Sequence, residues 1–329
     1  MDKGILIVGG AGYIGSMVNK VLARAGYKTF VLDSLVTGHA DNVVAGELIV
    51  EDLGNRDALR TLLRTHPIDA VIHLGARTSV GESMLSPARY YNSNIGKTII
   101  LLEEVIARKI PHFLFSSSAA IYGAPKSVPI DEEHPKQPIN PYGRTKWMVE
   151  QILRDFSDAY GLGCCSLRYF NAAGGDPEGE VLDRREQPVN VIPIILRSIL
   201  AGSREAPIFG TDYDTPDGTC IRDYIHIYDL AVAHLLALEK LMDDSAADAY
   251  NLGNGSGFSV REVVDTIAEV TGIPLGVKEE PRRPGDPPRL VADSTKARRE
   301  LGWDPKYSQL EQIVEDSWKA ISPTAGTPS

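Results

Sequence analysis

Only three cysteines occur in this chain of 329 residues, Cys164, Cys165 and Cys220, and they form neither a C-x-x-C motif nor an even framework. A disulfide scaffold and structural zinc are thereby disfavoured, and buried thiols in a reducing compartment are expected. There is no Lys/Arg-rich run, and 34 basic against 44 acidic residues leave a net charge of −10. That balance argues against nucleic acid or an anionic membrane as partner, so an anionic ligand has to be held by local donors. No stretch reaches the roughly 18 consecutive apolar residues that mark a membrane span. The opening MDKGILIVGGAG carries no basic leader, and a cytoplasmic location is expected. Repeats and low-complexity tracts are absent too.

What is present suits a globular protein. The 43% hydrophobic and 24% charged content can build a substantial core, and the length calls for two lobes or two domains. Short β-branched runs stand at GILIV (4–8), KTFVLD (28–33), ELIVED (47–52), DAVIHLG (69–75), HFLFSSS (112–118) and CCSLRYF (164–170). Helical patterns lie between them near 13–25, 55–65, 87–108 and 141–160. Strand and helix in alternation imply an α/β fold, a Rossmann-like doubly wound parallel sheet covered on both faces. After Asn171 the rhythm changes to AAGGDPEGEVLDRREQP, rich in Gly, Pro and charge. A dinucleotide-binding domain is therefore assigned to 1–170, with a return of the chain at about 220–248. A second, smaller α/β substrate lobe takes 171–219 and 249–320, and 321–329 form a loose tail.

GGAGYIG (9–15) follows the first strand pattern directly and opens a helix, reading as GxxGxxG through Gly9, Gly12 and Gly15. Such glycines permit a tight turn, close approach of backbone to a pyrophosphate, and packing of helix on strand. Asp33 closes the second strand pattern, where a carboxylate accepts hydrogen bonds from an adenosine ribose and repels a 2′-phosphate. NAD is expected rather than NADP. Asp52 and Leu53 follow the third strand, where an acidic side chain either reaches an adenine or is a plain surface carboxylate. HLGAR (73–77) ends the fourth strand at the ligand-binding edge, with His73 read as a core histidine.

PYGRTKWMVEQIL (141–153) starts on a proline suited to a first helical turn and sets Tyr142 and Lys146 four positions apart, on one helical face. A second Tyr/Lys pair of that spacing, Tyr122 and Lys126, contains Gly123 and Pro125, which oppose a helix. A free phenol titrates near pH ~10, and a neighbouring ammonium favours its charged form. Ser118 leaves the fifth strand at the same edge, with a hydroxyl able both to donate to and accept from a substrate alcohol.

The glycines Gly9 to Gly15, Ser118, Tyr142 and Lys146, in that order and on those elements, resemble the extended short-chain dehydrogenase/reductase family. HLGARTSVGESM (73–84), YYNSN (90–94), LRYFNAAG (167–174), PIFGTDYDTPDGTCIRDYIHIYDLA (207–231), YNLGNG (250–255) and RRPGDPPRLVADSTKA (282–297) further resemble its UDP-glucose 4-epimerase subfamily, to about residue 320. The resemblance implies NAD-dependent epimerisation at C4 of a UDP-hexose through a transient 4-keto sugar, with the N-acetylhexosamine pair as a second substrate hypothesis. It implies Tyr142 as acid/base, Lys146 on the nicotinamide ribose and Ser118 on the reacting oxygen. NAD contacts are implied at Gly9, Gly12, Tyr13, Ile14, Gly15, Asp33, Asp52, Leu53, Leu74, Ala76, Asn94, Ser116, Tyr142, Lys146 and Tyr169. The UDP-sugar is implied at Ser118, Tyr142, Asn171, Asn190, Val191, Phe209, Arg222, Arg283, Asp286 and Leu290. Two of these are arginines, whose planar forks suit diphosphate oxygens. No metal is implied, and relatives of this kind pair as homodimers through helices that include the one bearing Tyr142.

Three departures stand out. Arg77 replaces a Lys or small residue, Leu290 falls where some relatives crowd the sugar with a Tyr, and 175–188 fits the family pattern poorly. Among related chemistries, nucleotide-sugar dehydratases place an acid after the strand-5 hydroxyl, whereas Ala119 and Ala120 follow Ser118 here. UDP-glucuronate or UDP-pentose 4-epimerases remain alternatives. An NAD-sensing regulator would need neither Ser118 nor the Tyr142/Lys146 pair.

Overall fold

The computed structural model describes residues 3–244, 248–283 and 286–322. Its strands are β1 (Gly4–Val8), β2 (Lys28–Asp33), β3 (Glu47–Val50), β4 (Ala70–His73), β5 (His112–Ser118), β6 (Gly163–Tyr169), β7 (Asn171–Ala173), β8 (Glu205–Phe209), β9 (Ile221–Arg222), β10 (Tyr224–His226), β11 (Asp248–Leu252), β12 (Phe258–Ser259), β13 (Gly276–Glu280) and β14 (Arg289–Leu290). Its α-helices are α1 (Tyr13–Arg24), α2 (Arg56–Thr65), α3 (Val80–Leu85), α4 (Pro87–Tyr90), α5 (Lys97–Ala107), α6 (Pro141–Tyr160), α7 (Val191–Leu200), α8 (Ile227–Asp243), α9 (Val260–Thr271), α10 (Thr295–Leu301) and α11 (Leu310–Ile321). A π-helical turn, Tyr91–Gly96, joins α4 to α5.

Seven strands form one sheet in the order β11-β6-β5-β4-β1-β2-β3, and each of its pairings is parallel. The two-residue period of a strand explains how helices come to cover both faces. In β1, Ile5 and Ile7 join a cluster with Met17, Val18 and Leu22 of α1 and Leu230 and Leu238 of α8. Leu6 and Val8 point the other way, into a cluster with Leu59 and Leu62 of α2, Leu101 and Val105 of α5, and Val149 and Leu153 of α6. A strand buried on both sides needs an unbroken apolar run, which GILIV supplies. Each such side chain, fully buried, stabilises the fold by about 1.5–3 kcal/mol before chain entropy is charged against it.

Parallel strands send their carboxyl ends to one edge. The order reverses on either side of β1, opening the crevice in which ligands of such sheets lie. Outside the sheet, β12-β9-β14 form a three-stranded sheet, and β10-β7 and β13-β8 form two pairs. A third apolar cluster gathers Ile192, Ile195 and Leu196 of α7, Val263 and Ile267 of α9, and Ile313 and Val314 of α11. Helix α9 begins on a capping box, in which the Ser259 hydroxyl accepts from the Glu262 N–H at 3.0 Å and the Glu262 carboxylate accepts from the Ser259 N–H at 2.6 Å.

Several boundaries differ from those read in the sequence. The helical pattern over 87–108 is broken by the π turn, because apolar periodicity does not register one extra residue in a turn. The chain's return to the main sheet runs to Leu252 rather than about 248, since Tyr250 and Leu252 of β11 are buried against α8 at the edge beside β6. Ile321 closes α11, so the expected tail does not begin there; from 323 on it lies outside the described residues.

Candidate active site

The turn after β1 is built from glycines with three separate reasons. Gly9 adopts φ +81, and a Cβ on it would stand 2.6 Å from the Gly75 nitrogen. A Cβ on Gly15 would stand 2.1 Å from the Gly9 carbonyl oxygen, so this glycine lets α1 seat against the turn. Gly12 is different. It is the N-cap of α1 at φ −80, and a Cβ there would meet only the Gly9 oxygen, at 3.4 Å. Packing does not require glycine at 12; as the N-cap it is favoured over alanine, and it leaves the helix N-terminus open to the close approach of an anion. The N–H groups of Tyr13 and Ile14 open that helix and face an anion as a helix start does. Asp33, at the end of β2, accepts from the Ala11 N–H at 3.0 Å and the Leu35 N–H at 2.9 Å, which fixes a carboxylate beside the turn. These residues fit a dinucleotide.

Beyond Asp33 lies a cavity of about 110 Å³ lined by Leu32, Ile49, Val50, Asp52 and Leu62 among others. Asp52 stands at its rim, where Lys97 of α5 donates to both carboxylate oxygens at 2.7 and 2.6 Å and holds the carboxyl below its ordinary range. Leu53 packs inward on the α2/α5 cluster. The Leu74 N–H donates to the Val8 oxygen at 2.9 Å, carrying the chain from β4 past the glycine turn to Ala76. At the next residue Asn94 reads the backbone of Arg77 in both directions. Its Oδ1 accepts from the Arg77 N–H at 2.9 Å and its Nδ2 donates to the Arg77 oxygen at 3.0 Å. The same Nδ2 donates to Thr145 Oγ1 at 3.1 Å, and thereby ties the π turn to α6. Arg77 itself reaches Glu82, 3.7 Å away.

Helix α6 starts as its sequence demands, with Pro141 at its first position and the Asn140 side chain accepting from the Gly143 N–H at 2.8 Å. Tyr142 is 9% exposed and Lys146 3%. The Lys146 ammonium donates to the Ser116 carbonyl oxygen at 2.6 Å and lies 4.8 Å from the Phe115 ring centroid and 6.0 Å from that of Tyr142. Burial pulls its pKa down to about 7, partly offset by the Glu150 carboxylate. Burial pushes the Tyr142 phenol up, and a hydrogen bond with Ser118 pulls it back down. Ser118 ends β5 and accepts from the Ala120 N–H at 3.2 Å. Behind them Ser116 and Tyr169 share a short hydroxyl–hydroxyl bond. Ser118, Tyr142 and Lys146 thus meet on the carboxyl edge of the sheet that also carries the glycine turn.

The residues expected to meet a nucleotide-sugar gather in two groups. Arg222 of β9 donates to the carbonyls of Ile221 and Pro287, both at 2.9 Å, stands 3.6 Å from the Asp286 carboxylate, and is paired in register with Leu290 of β14. Leu290 packs on Ile121, Tyr122 and Ile130, just past Ser118. The Arg283 guanidinium lies 3.9 Å over the Phe209 ring. Asn171 and Asn190 are held by backbone instead: Asn171 Nδ2 donates to the Asp223 oxygen at 2.9 Å, and Asn190 Nδ2 to the Ala172 oxygen at 3.1 Å. Val191 opens α7 immediately after Asn190.

The competing pair does not assemble. Tyr122 is buried, donating to Asn251 Oδ1 at 2.6 Å, and Lys126 lies in a helix-free loop. His73 is a core residue bonded to Thr98 Oγ1 at 2.9 Å, with its pKa lowered by burial to about 3. Tyr224 and His226 are likewise buried. The segment 175–188, which matched the family pattern poorly, straps the first helix. Asp176 pairs with the buried Lys20 at 2.5 Å, the Asn42 side chain brackets the backbone of Leu182, and the Arg185 guanidinium lies 3.7 Å over the Tyr13 ring. The strap, Thr145 and the anchoring role of Asn94 were not read from the sequence. Only the Lys20 and Arg24 positions opposite the acidic run DPEGE offered a signal.

A family model described as the NAD dependent epimerase/dehydratase family matches residues 5–253. The chain belongs to that family. The matched span runs from within β1 to just past β11 and so takes in the seven-stranded sheet together with β7 to β10. Full-length similarity goes further. The chain is 46% identical to a UDP-glucose 4-epimerase of Halalkalibacterium halodurans over 314 residues, 95% of this chain and 94% of that one. It superposes on the UDP-glucose 4-epimerase of Brucella ovis, solved in complex with NAD, with a TM-score of 0.93 at 42% identity, covering 98% of each. The enzyme of Bifidobacterium longum, solved with NAD+ and UDP, gives 0.92 at 34% identity over 98% of this chain and 99% of that one.

Proposed function

We propose that this protein is an NAD-dependent UDP-sugar 4-epimerase that interconverts UDP-glucose and UDP-galactose. The observation that carries the reading is the Ser118–Tyr142–Lys146 cluster on the same carboxyl edge of the sheet as a glycine turn whose Gly12 is free of close packing. Relatives of that name align over nearly the full length. When bound, NAD supplies the acceptor, and then the donor, of the C4 hydride. The protein's part is proton handling and positioning. Tyr142 Oη takes the proton of the sugar 4-hydroxyl as the C4–H bond breaks, and returns it after the 4-keto sugar has presented its other face. Ser118 shares a hydrogen bond with the same oxygen, and the Lys146 ammonium favours the phenolate. Net oxidation is zero, so the cofactor has to stay while the sugar turns, and binding energy belongs on the uridine diphosphate. Arg222 and Arg283 suit its phosphates, Phe209 its uracil, Asp286 its ribose, and Asn171, Asn190 and Val191 the adjoining sugar face.

In the same reading residues 1–170 with 220–252 hold the cofactor and the remainder the nucleotide-sugar. The three free, buried thiols favour a reducing, cytoplasmic setting. A homodimer forms through α6, where Met148 is 40% exposed. The experiment is to purify the protein without added cofactor, measure retained NAD, and assay a panel of UDP-sugars. Retained NAD with turnover of UDP-galactose supports the proposal, and turnover of UDP-glucuronate or a UDP-pentose alone replaces it.

A further inference from the structure

One helical turn beyond Lys146 on α6 stands Glu150, a buried carboxylate whose charge acts on that lysine. Its two oxygens are occupied from elsewhere. Arg168 of β6 donates through Nε to both of them, at 3.0 and 3.2 Å, and through Nη2 to Oε2 at 2.6 Å, while the Ser117 hydroxyl donates to Oε1 at 2.5 Å. Arg168 is 5% exposed, and its remaining nitrogen donates to the Tyr122 hydroxyl at 3.1 Å and the Glu132 carbonyl at 3.3 Å. A buried ion pair is a poor stabiliser, because desolvation commonly cancels its attraction. A carboxylate four positions from Lys146 is also a hazard, since residues at i and i+4 share a helical face. Left unheld, Glu150 would draw the ammonium from the Ser116 carbonyl and set a negative field on the Tyr142 phenol.

We infer that Arg168 is a positioning residue for the proton transfer: by gripping Glu150 it keeps that carboxylate from claiming Lys146 and from holding the proton on Tyr142. The inference rests on Tyr142 and Lys146 acting as proposed above. The other groups around them do not compensate. On β4, His73 is buried and neutral at ordinary pH. On β6, the Tyr169 phenol is held neutral by burial. From the π turn and β5 come only Asn94, Ser116 and Ser118, which carry no charge. Around the ion pair, Tyr122 is neutral with its pKa raised to about 12, while Glu132 and Lys136 carry opposite signs.

The test compares Arg168→Met, Glu150→Gln and the double variant as full-length holoenzymes. It reads the acid limb of the kcat–pH profile, and beside it the tyrosinate absorbance that Tyr142→Phe abolishes. Arg168→Met bares a carboxylate and moves both readouts up by about one pH unit or more. Glu150→Gln keeps the shape, leaves the guanidinium unopposed and moves both down. The double variant returns them to the wild-type position. Glu150→Gln is the gentler change and decides the matter even where Arg168→Met does not fold. Unmoved limbs in the variants, or a double variant that fails to restore, overturn the inference and leave the pair structural. If Tyr142→Phe turns over normally, the acid/base reading fails and the inference falls with it. If that variant is inactive with NAD bound while the limbs stay put, only the role of Arg168 is refuted.

Discussion

The Lys146 ammonium donates to the main-chain oxygen of Ser116 at 2.6 Å from a site 3% exposed to solvent, so helix α6 and strand β5 are joined through a cation buried in the candidate active site. That placement has a thermodynamic consequence. The folded-state pKa, about 7, lies below that of free lysine, so the charged form is the disfavoured one in the native protein. Below pH 7 both states carry the proton and the full burial cost is felt. Between about 7 and 10 the buried amine has lost its proton while the unfolded chain keeps it. The unfolded state then binds more protons, and stability rises with pH. Lys146→Met removes this cost. It is expected to raise folding stability at pH 6–7 by an amount on the order of a few kcal/mol, seen as a higher Tm, to lose that advantage by pH 10, and to abolish turnover. Thermal melts of both proteins across pH 6–10 check it; parallel curves would mean that Lys146 is not charged in the fold.

Replacing the Tyr142 phenol by Phe removes the proton carrier while leaving the ring packed. Tyr142→Phe is expected to retain NAD and to lower kcat by about 10²–10⁴-fold. The companion measurement is isotopic. Because hydrogen at C4 travels as hydride and only the hydroxyl proton exchanges, product formed in heavy water should carry no deuterium on C4. Label appearing there would show proton abstraction from carbon and exclude the hydride route.

Much of the fold was legible because the two periods of regular structure write themselves into side chains. GILIV, KTFVLD and HFLFSSS begin and end where β1, β2 and β5 do, since strands buried on both faces need unbroken apolar runs. The Ser118, Tyr142 and Lys146 cluster was legible because Ser118 ends β5 and the other two lie in the first two turns of α6, places that such runs locate. The π turn was not: it leaves the apolar spacing of 87–108 intact while swinging Asn94 onto the backbone of Arg77. Contacts between distant loops, such as Arg185 on Tyr13, have no period at all. The nucleotide-sugar residues were reached through resemblance alone. What brings Arg222 and Asp286 near each other is the pairing of two-residue strands, too short to show in a pattern.

Gly12 and Gly15 lie on one turn and should fail differently. Alanine at 15 drives its methyl onto the Gly9 carbonyl, 2.1 Å away in the undistorted backbone, and nothing there is flexible. Gly15→Ala is expected to cost about 1–3 kcal/mol or more in stability and to lose NAD along with it. Gly12→Ala meets no protein atom closer than 3.4 Å and adopts an ordinary φ of −80, so beyond the loss of a favoured N-cap residue its stability without cofactor should stay within about 1 kcal/mol of the wild type. Its NAD affinity should still fall by about tenfold or more, equivalent to about 1.4 kcal/mol. Denaturation curves and NAD titrations on both variants check this. Equal stability losses would remove the case for a ligand at Gly12.

Leu290 is expected to set how much room the sugar has. It is half-buried in β14, register-paired with Arg222, and packed against Ile121 and Tyr122 immediately past Ser118. A leucine here is smaller than the tyrosine of some relatives, so the pocket should accept a 2-acetamido group as well as a 2-hydroxyl. The wild type is therefore expected to epimerise UDP-N-acetylglucosamine at a rate comparable to UDP-glucose. Leu290→Tyr fills that space. Overpacking by such a group costs about 1–3 kcal/mol, so activity on the N-acetyl sugar should fall about 10- to 100-fold relative to UDP-glucose. The ratio of kcat/KM for the two substrates is the measurement, because it cancels any general loss of folding or cofactor. A wild type inactive on the N-acetyl sugar, or a Leu290→Tyr variant with an unchanged ratio, would place the discriminating surface elsewhere in the pocket.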